Sequence, residues 1–358
     1  MLEEWINFEP YELDSFSKKK LIMGELNLLT QFHYDHCESY ARILRVQNLE
    51  NKKFQSLSEI PFLPVRLFKQ KKLQSIPENE IIKTMTSSGT TGQLVSKIYL
   101  DKTTSSLQTR VLTKIVTSFI GQTRLPMLIL DSESSIKNRT QFSARGAGIL
   151  GFSMFGIKPV FAFDDNMKFK EEVISDFLKK YEGNSILLFG FTFIVFSFFL
   201  KNLENINKKF DLSNGILIHG GGWKKLISES ISKDEFKRRF YSISGLRRIH
   251  DYYGMVEQTG SIFMECEYGY LHASVYADIL IRRNFDFSIA ENGEIGLVQV
   301  FSLLPKSYPG HSLLTEDQGV IFGEDTCECG RLGKYFKILG RIKSAEIRGC
   351  SDTFEGRA

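Results

Sequence analysis

The sequence predicts an α/β fold, with a largely parallel sheet and its crossover helices followed by a smaller β-rich part. Three observations carry that prediction. Short apolar runs recur at residues 127–130, 158–163, 186–189 and 215–218, each separated from the next by enough chain for a helix to return it. Residues 1–58 read mostly as helices. After Tyr268 the texture changes to alternating segments bounded by turn residues. At 358 residues the chain exceeds the usual length of one domain, yet large α/β enzymes of this size build around one principal core. One large domain with a small appendage is therefore expected.

Within the helical start, residues 27–46 give the clearest periodicity, and the Pro-punctuated IPFLPVRLFK follows at residues 60–69. The segment TMTSSGTTGQLVSKIYLD (residues 84–101) then carries six consecutive Ser, Thr and Gly residues, with little to bury. Farther on, SILLFGFTFIVFSFFL (residues 185–200) is a sixteen-residue apolar run. It is shorter than the roughly 20 residues a bilayer core requires, and Gly190 and Thr192 divide it. The expected reading is a buried strand at 186–189, a turn, and a buried helix from about Phe193. Its phenylalanines are either plain core or the wall of an apolar ligand pocket. The hairpin segments HASVYADILIRR (272–283) and GEIGLVQVFSL (293–303) meet at Glu291-Asn292-Gly293, and no internal repeat or low-complexity linker is evident.

Charge excludes some function classes. The chain carries 46 Lys and Arg against 42 Asp and Glu, and its basic runs, Lys18-Lys19-Lys20 and Lys69-Gln70-Lys71-Lys72, are short. A phosphate backbone demands a concentrated basic face, so these runs read as solvated surface and no nucleic-acid partner is expected. Five cysteines and the absence of a basic-then-apolar leader at residues 1–5 fit reduced thiols in the cytoplasm.

The Ser87–Gly92 run can now be weighed. Small hydroxyl residues and glycines leave backbone N–H groups unobstructed and add rotating O–H donors, which suits a loop around phosphate oxygens. It is not a Walker loop, because Gly89 is followed five places on by Leu94 where a Gly-Lys step is required. On spacing alone, a polar turn and a phosphate cradle remain alternatives.

SSGTTG resembles the phosphate loop of the adenylate-forming superfamily of acyl-CoA synthetases, luciferases and peptide-synthetase adenylation domains. Other motifs of that superfamily stand in the matching order. DYYGMVEQTG (251–260) resembles its YG-x-x-E motif, LLTEDQG (313–319) the segment of the ribose-binding aspartate, and LGRIKSAEIRG (339–349) the hinge before a mobile C-terminal domain. SARGAGILGFSMFG (143–156), HGGGWKK (219–225) and the terminal EIRGCSD together resemble the LuxE-type acyl-protein synthetases, the fatty-acid-protein ligases of bacterial bioluminescence. That resemblance covers most of the chain.

The resemblance implies a large N-terminal domain of the adenylate-forming type over residues 1–340, with a β-rich subdomain at about 270–340. Residues 341–358 would be hinge and short tail. It also gives each motif a task. Ser87, Ser88, Thr90 and Thr91, with the amides of Gly89 and Gly92, would hold the β- and γ-phosphates of ATP while a carboxylate attacks the α-phosphorus. Glu257 would bind Mg²⁺. Tyr253 and the Gly220-Gly221-Gly222 turn would flank adenine, Asp317 would accept from the ribose hydroxyls, and Arg341 would reach the same sugar. Lys97 comes later after the loop than the corresponding lysine of many relatives and receives no phosphate role.

Relatives that form coenzyme A thioesters usually continue about a hundred residues past the hinge, into a domain that supplies a lysine. This chain ends at Ala358. Cys350 lies nine residues after Arg341, and nine extended residues span roughly 30 Å. The match of IRGCSD to the acylated segment of the acyl-protein synthetases makes Cys350 the expected nucleophile, with Arg348 and Lys343 near enough in sequence to favour its thiolate. The expected activity is conversion of a carboxylic acid, in this branch a fatty acid, to acyl-AMP, then capture on Cys350 and transfer to an acceptor protein such as a reductase or carrier. Two alternatives stay open: an acid ligase delivering to coenzyme A or a carrier-protein thiol, and an inactive scaffold of the same fold. The remaining cysteines raise a separate expectation. Cys266 and His272, with the C-x-C pair Cys327 and Cys329, supply three thiols and an imidazole for a structural zinc site, against the alternative of uncoordinated thiols.

Overall fold

The computed structural model describes residues 4–87, 94–137, 144–222 and 231–342. Ser88, Gly89, Thr90, Thr91, Gly92 and Cys350 lie outside the described residues, as do Lys343 and Arg348. In chain order the strands are β1 (Leu63–Pro64), β2 (Lys83–Thr86), β3 (Lys97–Leu100), β4 (Leu125–Ser132), β5 (Gly156–Phe163), β6 (Ile186–Phe191) and β7 (Gly215–Gly220). They continue with β8 (Arg248–Tyr253), β9 (Phe263–Glu265), β10 (Leu271–His272), β11 (Ala277–Arg282), β12 (Gly296–Ser302), β13 (Ser312–Glu324) and β14 (Lys334–Arg341). The chain divides into two compact units. Of the described residues, one contains 4–87, 94–118 and 253–342, and the other 119–137, 144–222 and 231–252.

In the second unit the apolar runs form a parallel sheet in the order β5-β4-β6-β7-β8. Leu188 sits opposite Leu128 on one side and Leu217 on the other. Every residue of β6 and β7 is buried, as unbroken apolar runs require when both faces of a parallel sheet are covered. The helix Lys233–Ser244 shows how its ends are set. Ser232 Oγ accepts from the amide of Glu235, Asp234 and Glu235 fill the first turn, and Gly245 closes the helix at φ 73°.

The apolar run 185–200 departs from expectation at its turn. β6 runs on through Gly190 to Phe191, and helix begins directly at Thr192, continuing as a π-helical stretch, Val195–Leu200, and then Lys201–Asn205. Gly190 supplies clearance rather than a bend, because a Cβ there would stand 2.8 Å from Val195 Cγ2 and 2.9 Å from Leu130 Cβ. Phe189, Phe191, Phe196 and Phe199 are all buried.

In the first unit the expected helix at 27–46 is two helices, Ser15–His36 and Glu38–Val46, separated at Cys37, whose backbone is extended (φ −131°, ψ 95°). The break turns Cys37, Tyr40 and Leu44 into the same core as Val298, Val300, Leu313 and Phe336. That core lies on an antiparallel sheet ordered β11-β12-β13-β14-β10-β9, with β1 parallel to β13. The two predicted hairpin segments are β11 and β12, paired from Ala277↔Ser302 to Arg282↔Leu297.

A buried charge cluster joins the first helix to this sheet. Lys18, 1% exposed, donates to the Ala273 carbonyl at 2.9 Å and stands 3.7 Å from Asp278 Oδ2, while Lys334 donates to Asp278 Oδ1 at 2.9 Å. Burial pushes the Asp278 carboxyl up, but the two lysines override it and hold the group below the usual carboxylate range. Burial also lowers the Lys18 ammonium, so the lysine bears the desolvation cost of the pair. A depressed carboxyl contributes stability above its unfolded value of about 4 that is lost as pH falls through the lower folded value. Asp278→Asn is therefore expected to cost about 3–5 kcal/mol in urea unfolding near neutral pH. It should also flatten the acid side of the stability profile; a urea midpoint unchanged from wild type at neutral and at acid pH would contradict this role.

Candidate active site

The residues expected to hold the nucleotide divide between the two units. In the first, Tyr253 ends β8 and a 3-10 turn, Val256–Gln258, follows at once, carrying Glu257. The turn is fastened by its own backbone and by Gln258. Tyr308 Oη donates to the Glu257 carbonyl at 2.9 Å, and Gln258 Nε2 donates to the carbonyls of Gly310 at 2.8 Å and Val300 at 3.3 Å. Glu257 is 6% exposed. Burial pushes its carboxyl above the usual range, opposed by the Ser96 hydroxyl and by the charges of Lys69 and Arg341.

Asp317 lies on β13 directly across from Arg341 on β14. Its Oδ2 accepts from Tyr253 Oη at 2.7 Å, and its Oδ1 stands 3.5 Å from Arg341 Nε. Thr315 Oγ1 accepts from the Asp317 amide at 3.1 Å and donates to the Val298 carbonyl at 2.8 Å, which ties the aspartate to the next strand. Burial raises the Asp317 carboxyl, while Tyr253 and Arg341 pull it back. Burial and the Asp317 charge raise the Tyr253 hydroxyl well above its ordinary value, so the proton stays on the tyrosine. Each carboxylate oxygen offers two lone pairs, and Asp317 keeps acceptor capacity beyond its protein partners. The result is a part-buried acceptor set between a tyrosine hydroxyl and a guanidinium, with capacity left for further hydroxyl donors.

The base of the Ser/Thr/Gly loop joins this group. Ser87 N donates to the Ser96 carbonyl at 3.1 Å, and Ser96 N donates to Ser87 Oγ at 2.9 Å, closing the antiparallel β2–β3 pair at the loop's two ends. Ser96 is fully buried and is the hydroxyl beside Glu257. Lys97, paired with Thr86, is exposed.

In the second unit Gly220 ends β7, and Gly221 and Gly222 follow at φ 89° and 66°, in the left-handed region that favours glycine. A Cβ at Gly220 would stand 2.6 Å from the Tyr252 ring, so this position needs glycine for clearance. The same strand ends carry a polar group that sequence reasoning missed. His219 Nδ1 and Thr192 Oγ1 are 2.9 Å apart, His219 Nδ1 is 3.8 Å from Asp251 Oδ1, and Lys233 Nζ is 2.8 Å from Asp251 Oδ2. Thr192, His219 and Asp251 sit at or near the carboxyl ends of β6, β7 and β8, the edge where open α/β sheets bind ligands, and Lys233 opens the helix Lys233–Ser244. His219 and Asp251 open two of the quoted motifs, which is the one signal that could have pointed to them.

The profile of the family described as "Acyl-protein synthetase, LuxE" matches residues 4–357. A long-chain-fatty-acid–luciferin-component ligase of Vibrio harveyi is 23% identical over 368 aligned positions, covering 98% of this chain and 89% of that one. Its counterpart from Aliivibrio fischeri is 25% identical over 351 positions, covering 94% and 89%. Among solved structures, an open conformation of 2-hydroxyisobutyryl-CoA ligase in complex with 2-HIB-AMP and CoA superposes with a TM-score of 0.72 at 13% identity, over 94% of this chain and 72% of that one. At that identity the structural likeness is one of fold, the α/β fold of adenylate-forming ligases.

Proposed function

The chain belongs to the LuxE family of acyl-protein synthetases, and on that premise we propose that it joins a fatty acid to a protein thiol through an acyl adenylate. A carboxylate oxygen attacks the α-phosphorus of ATP, pyrophosphate leaves, a thiolate then attacks the acyl carbon and AMP leaves. The observation that carries the reading is the Tyr253–Asp317–Arg341 group, with Glu257 buried four residues beyond Tyr253.

Asp317 accepts from the ribose hydroxyls and Arg341 reaches the same sugar. Tyr253 flanks the adenine and, through its hydroxyl, fixes the Asp317 carboxylate; Gly220-Gly221-Gly222, without side chains, permits close backbone approach to the base. Ser87, Ser88, Gly89, Thr90, Thr91 and Gly92 wrap the phosphates. Glu257 fits a hard cation as a single carboxylate with a hydroxyl beside it, and Mg²⁺ held there would neutralise phosphate charge. Cys350 takes the acyl group as a thioester and passes it to an acceptor protein. A cytoplasmic setting keeps that thiol reduced, and among the described residues no helix is long and apolar enough to cross a membrane.

Asp317→Asn tests the nucleotide assignment. Losing a charged acceptor is worth about 1.5–3 kcal/mol, or roughly 10- to 100-fold in kcat/KM for ATP in carboxylate-dependent pyrophosphate exchange. Unchanged kcat/KM would remove Asp317 from the site.

A further inference from the structure

The sheet of the first unit brings a second group of chemistry-bearing side chains together. Cys266 follows β9 in the turn that leads into β10, and His272 ends β10. The turn is closed by Cys266 N donating to the Tyr270 carbonyl at 2.8 Å and Gly269 N donating to the Cys266 carbonyl at 3.0 Å. Cys327 and Cys329 lie between β13 and β14, in a turn closed by Gly330 N donating to the Cys327 carbonyl at 3.0 Å. Because β10 pairs with β14, His272 opposite Tyr335, the two turns face one another.

Their ligand atoms all lie within 4.8 Å of one another. Cys266 Sγ and Cys327 Sγ are 4.0 Å apart, and Cys329 Sγ is 3.3 Å from His272 Nε2. A tetrahedral zinc with Zn–S of about 2.3 Å and Zn–N of about 2.0–2.1 Å has S···S edges of about 3.8 Å and S···N edges of about 3.6 Å. Both observed separations lie within about half an ångström of those edges, and the sulfur pair is far from a bonded disulfide, which is about 2.05 Å. Cys266 and His272 are fully buried and Cys327 is 8% exposed. His272 Nδ1 has no hydrogen-bond partner among the described residues, so the ring's polar pairing is directed at the thiols. Three thiolates and a neutral imidazole around Zn²⁺ leave one net negative charge. Arg331, which interacts with Cys329 and pairs with Glu267 at 2.9 Å, stands beside it.

We propose that Cys266, His272, Cys327 and Cys329 hold one structural Zn²⁺ that ties the β9–β10 turn to the β13–β14 turn. Four protein ligands leave no coordination position for a substrate, so the site is closed and its contribution is to folding. Binding replaces three S–H protons by three Zn–S bonds, with no change of oxidation state. The inference is independent of the acyl chemistry proposed above.

The test is the metal content of the full-length chain, purified without chelator and without a metal-affinity step, in the wild type, Cys327→Ser, Cys329→Ser and the control Cys37→Ser. Wild type and Cys37→Ser are expected to carry about one zinc per chain, and the two cluster variants to lose most of it together with thermal stability. Should the cluster variants fail to fold, replacement of zinc by Co²⁺ in the wild type decides the matter, since tetrahedral thiolate ligation gives an intense sulfur-to-cobalt charge-transfer band. Wild-type protein that carries no zinc and gives no such band overturns the proposal. So does a Cys266–Cys327 disulfide in a non-reducing peptide map.

Discussion

Glu257→Gln is expected to depress carboxylate-dependent pyrophosphate exchange by on the order of 10²–10³-fold, the scale seen when one preorganised electrostatic group is removed from a reacting centre. The substitution keeps the shape of the side chain and removes only its charge. The turn that carries residue 257 is held by its backbone carbonyl and by Gln258, and neither contact depends on the carboxylate. Stability should move the other way. Burial raises the Glu257 carboxyl above its unfolded value. A raised carboxyl contributes stability that is present below about pH 4.3 and lost as pH rises through the folded value, so at neutral pH the charge is a cost. The variant should therefore melt no lower than wild type in the absence of Mg²⁺ while losing activity. Loss of activity with a matching loss of stability would make Glu257 structural, and normal exchange would remove it from the site.

Cys350→Ser should separate the two half-reactions. Acyl-adenylate formation needs the nucleotide residues and not the thiol, so pyrophosphate exchange is expected to remain near the wild-type rate. The hydroxylamine-labile acyl adduct should disappear. A serine hydroxyl has a far higher pKa than a thiol and is a poor nucleophile without a base, and any ester it formed would resist hydroxylamine. Labile acyl-protein persisting in Cys350→Ser would place the thioester on another cysteine. Acyl-coenzyme A formed in place of acyl-protein would transfer the assignment to a coenzyme A ligase.

Much of this fold is legible in the sequence because its central parallel strands are buried and read as apolar runs; β4, β6 and β7 each contain the predicted segment, and so does the edge strand β5, although residues 157–159 are exposed. β8 was not predicted, since Arg248, His250 and Asp251 interrupt any such run. The break at Cys37 was hidden because helical periodicity continues on both sides of it. Gly190 was misread for a general reason: a glycine between apolar residues signals a bend and a close approach equally, and only the positions of Val195 and Leu130 decide between them.

At the site, motif order gave Tyr253, Glu257, Asp317 and Arg341 as members of one group, but their mutual geometry was not legible. Asp317 meets Arg341 through a β13–β14 register that includes irregularities at Gln318/Gly319 and Ile321/Gly323, and such slips carry no clear signature in sequence. Thr192 and Lys233 were missed because they join His219 and Asp251 only where separate parallel strands end side by side. The cysteines were legible as ligand chemistry, while their convergence depends on the pairing of β10 with β14.

Acid activation followed by capture on the chain itself is tested most directly by the intact mass of the full-length wild-type protein after incubation with ATP, Mg²⁺ and carboxylic acids of graded chain length. The expected result is a gain equal to the mass of one acid less one water, dependent on ATP, strongest for long-chain acids, and removed by hydroxylamine. A mass that stays constant with every acid, in protein that also shows no acid-dependent pyrophosphate exchange, would contradict it.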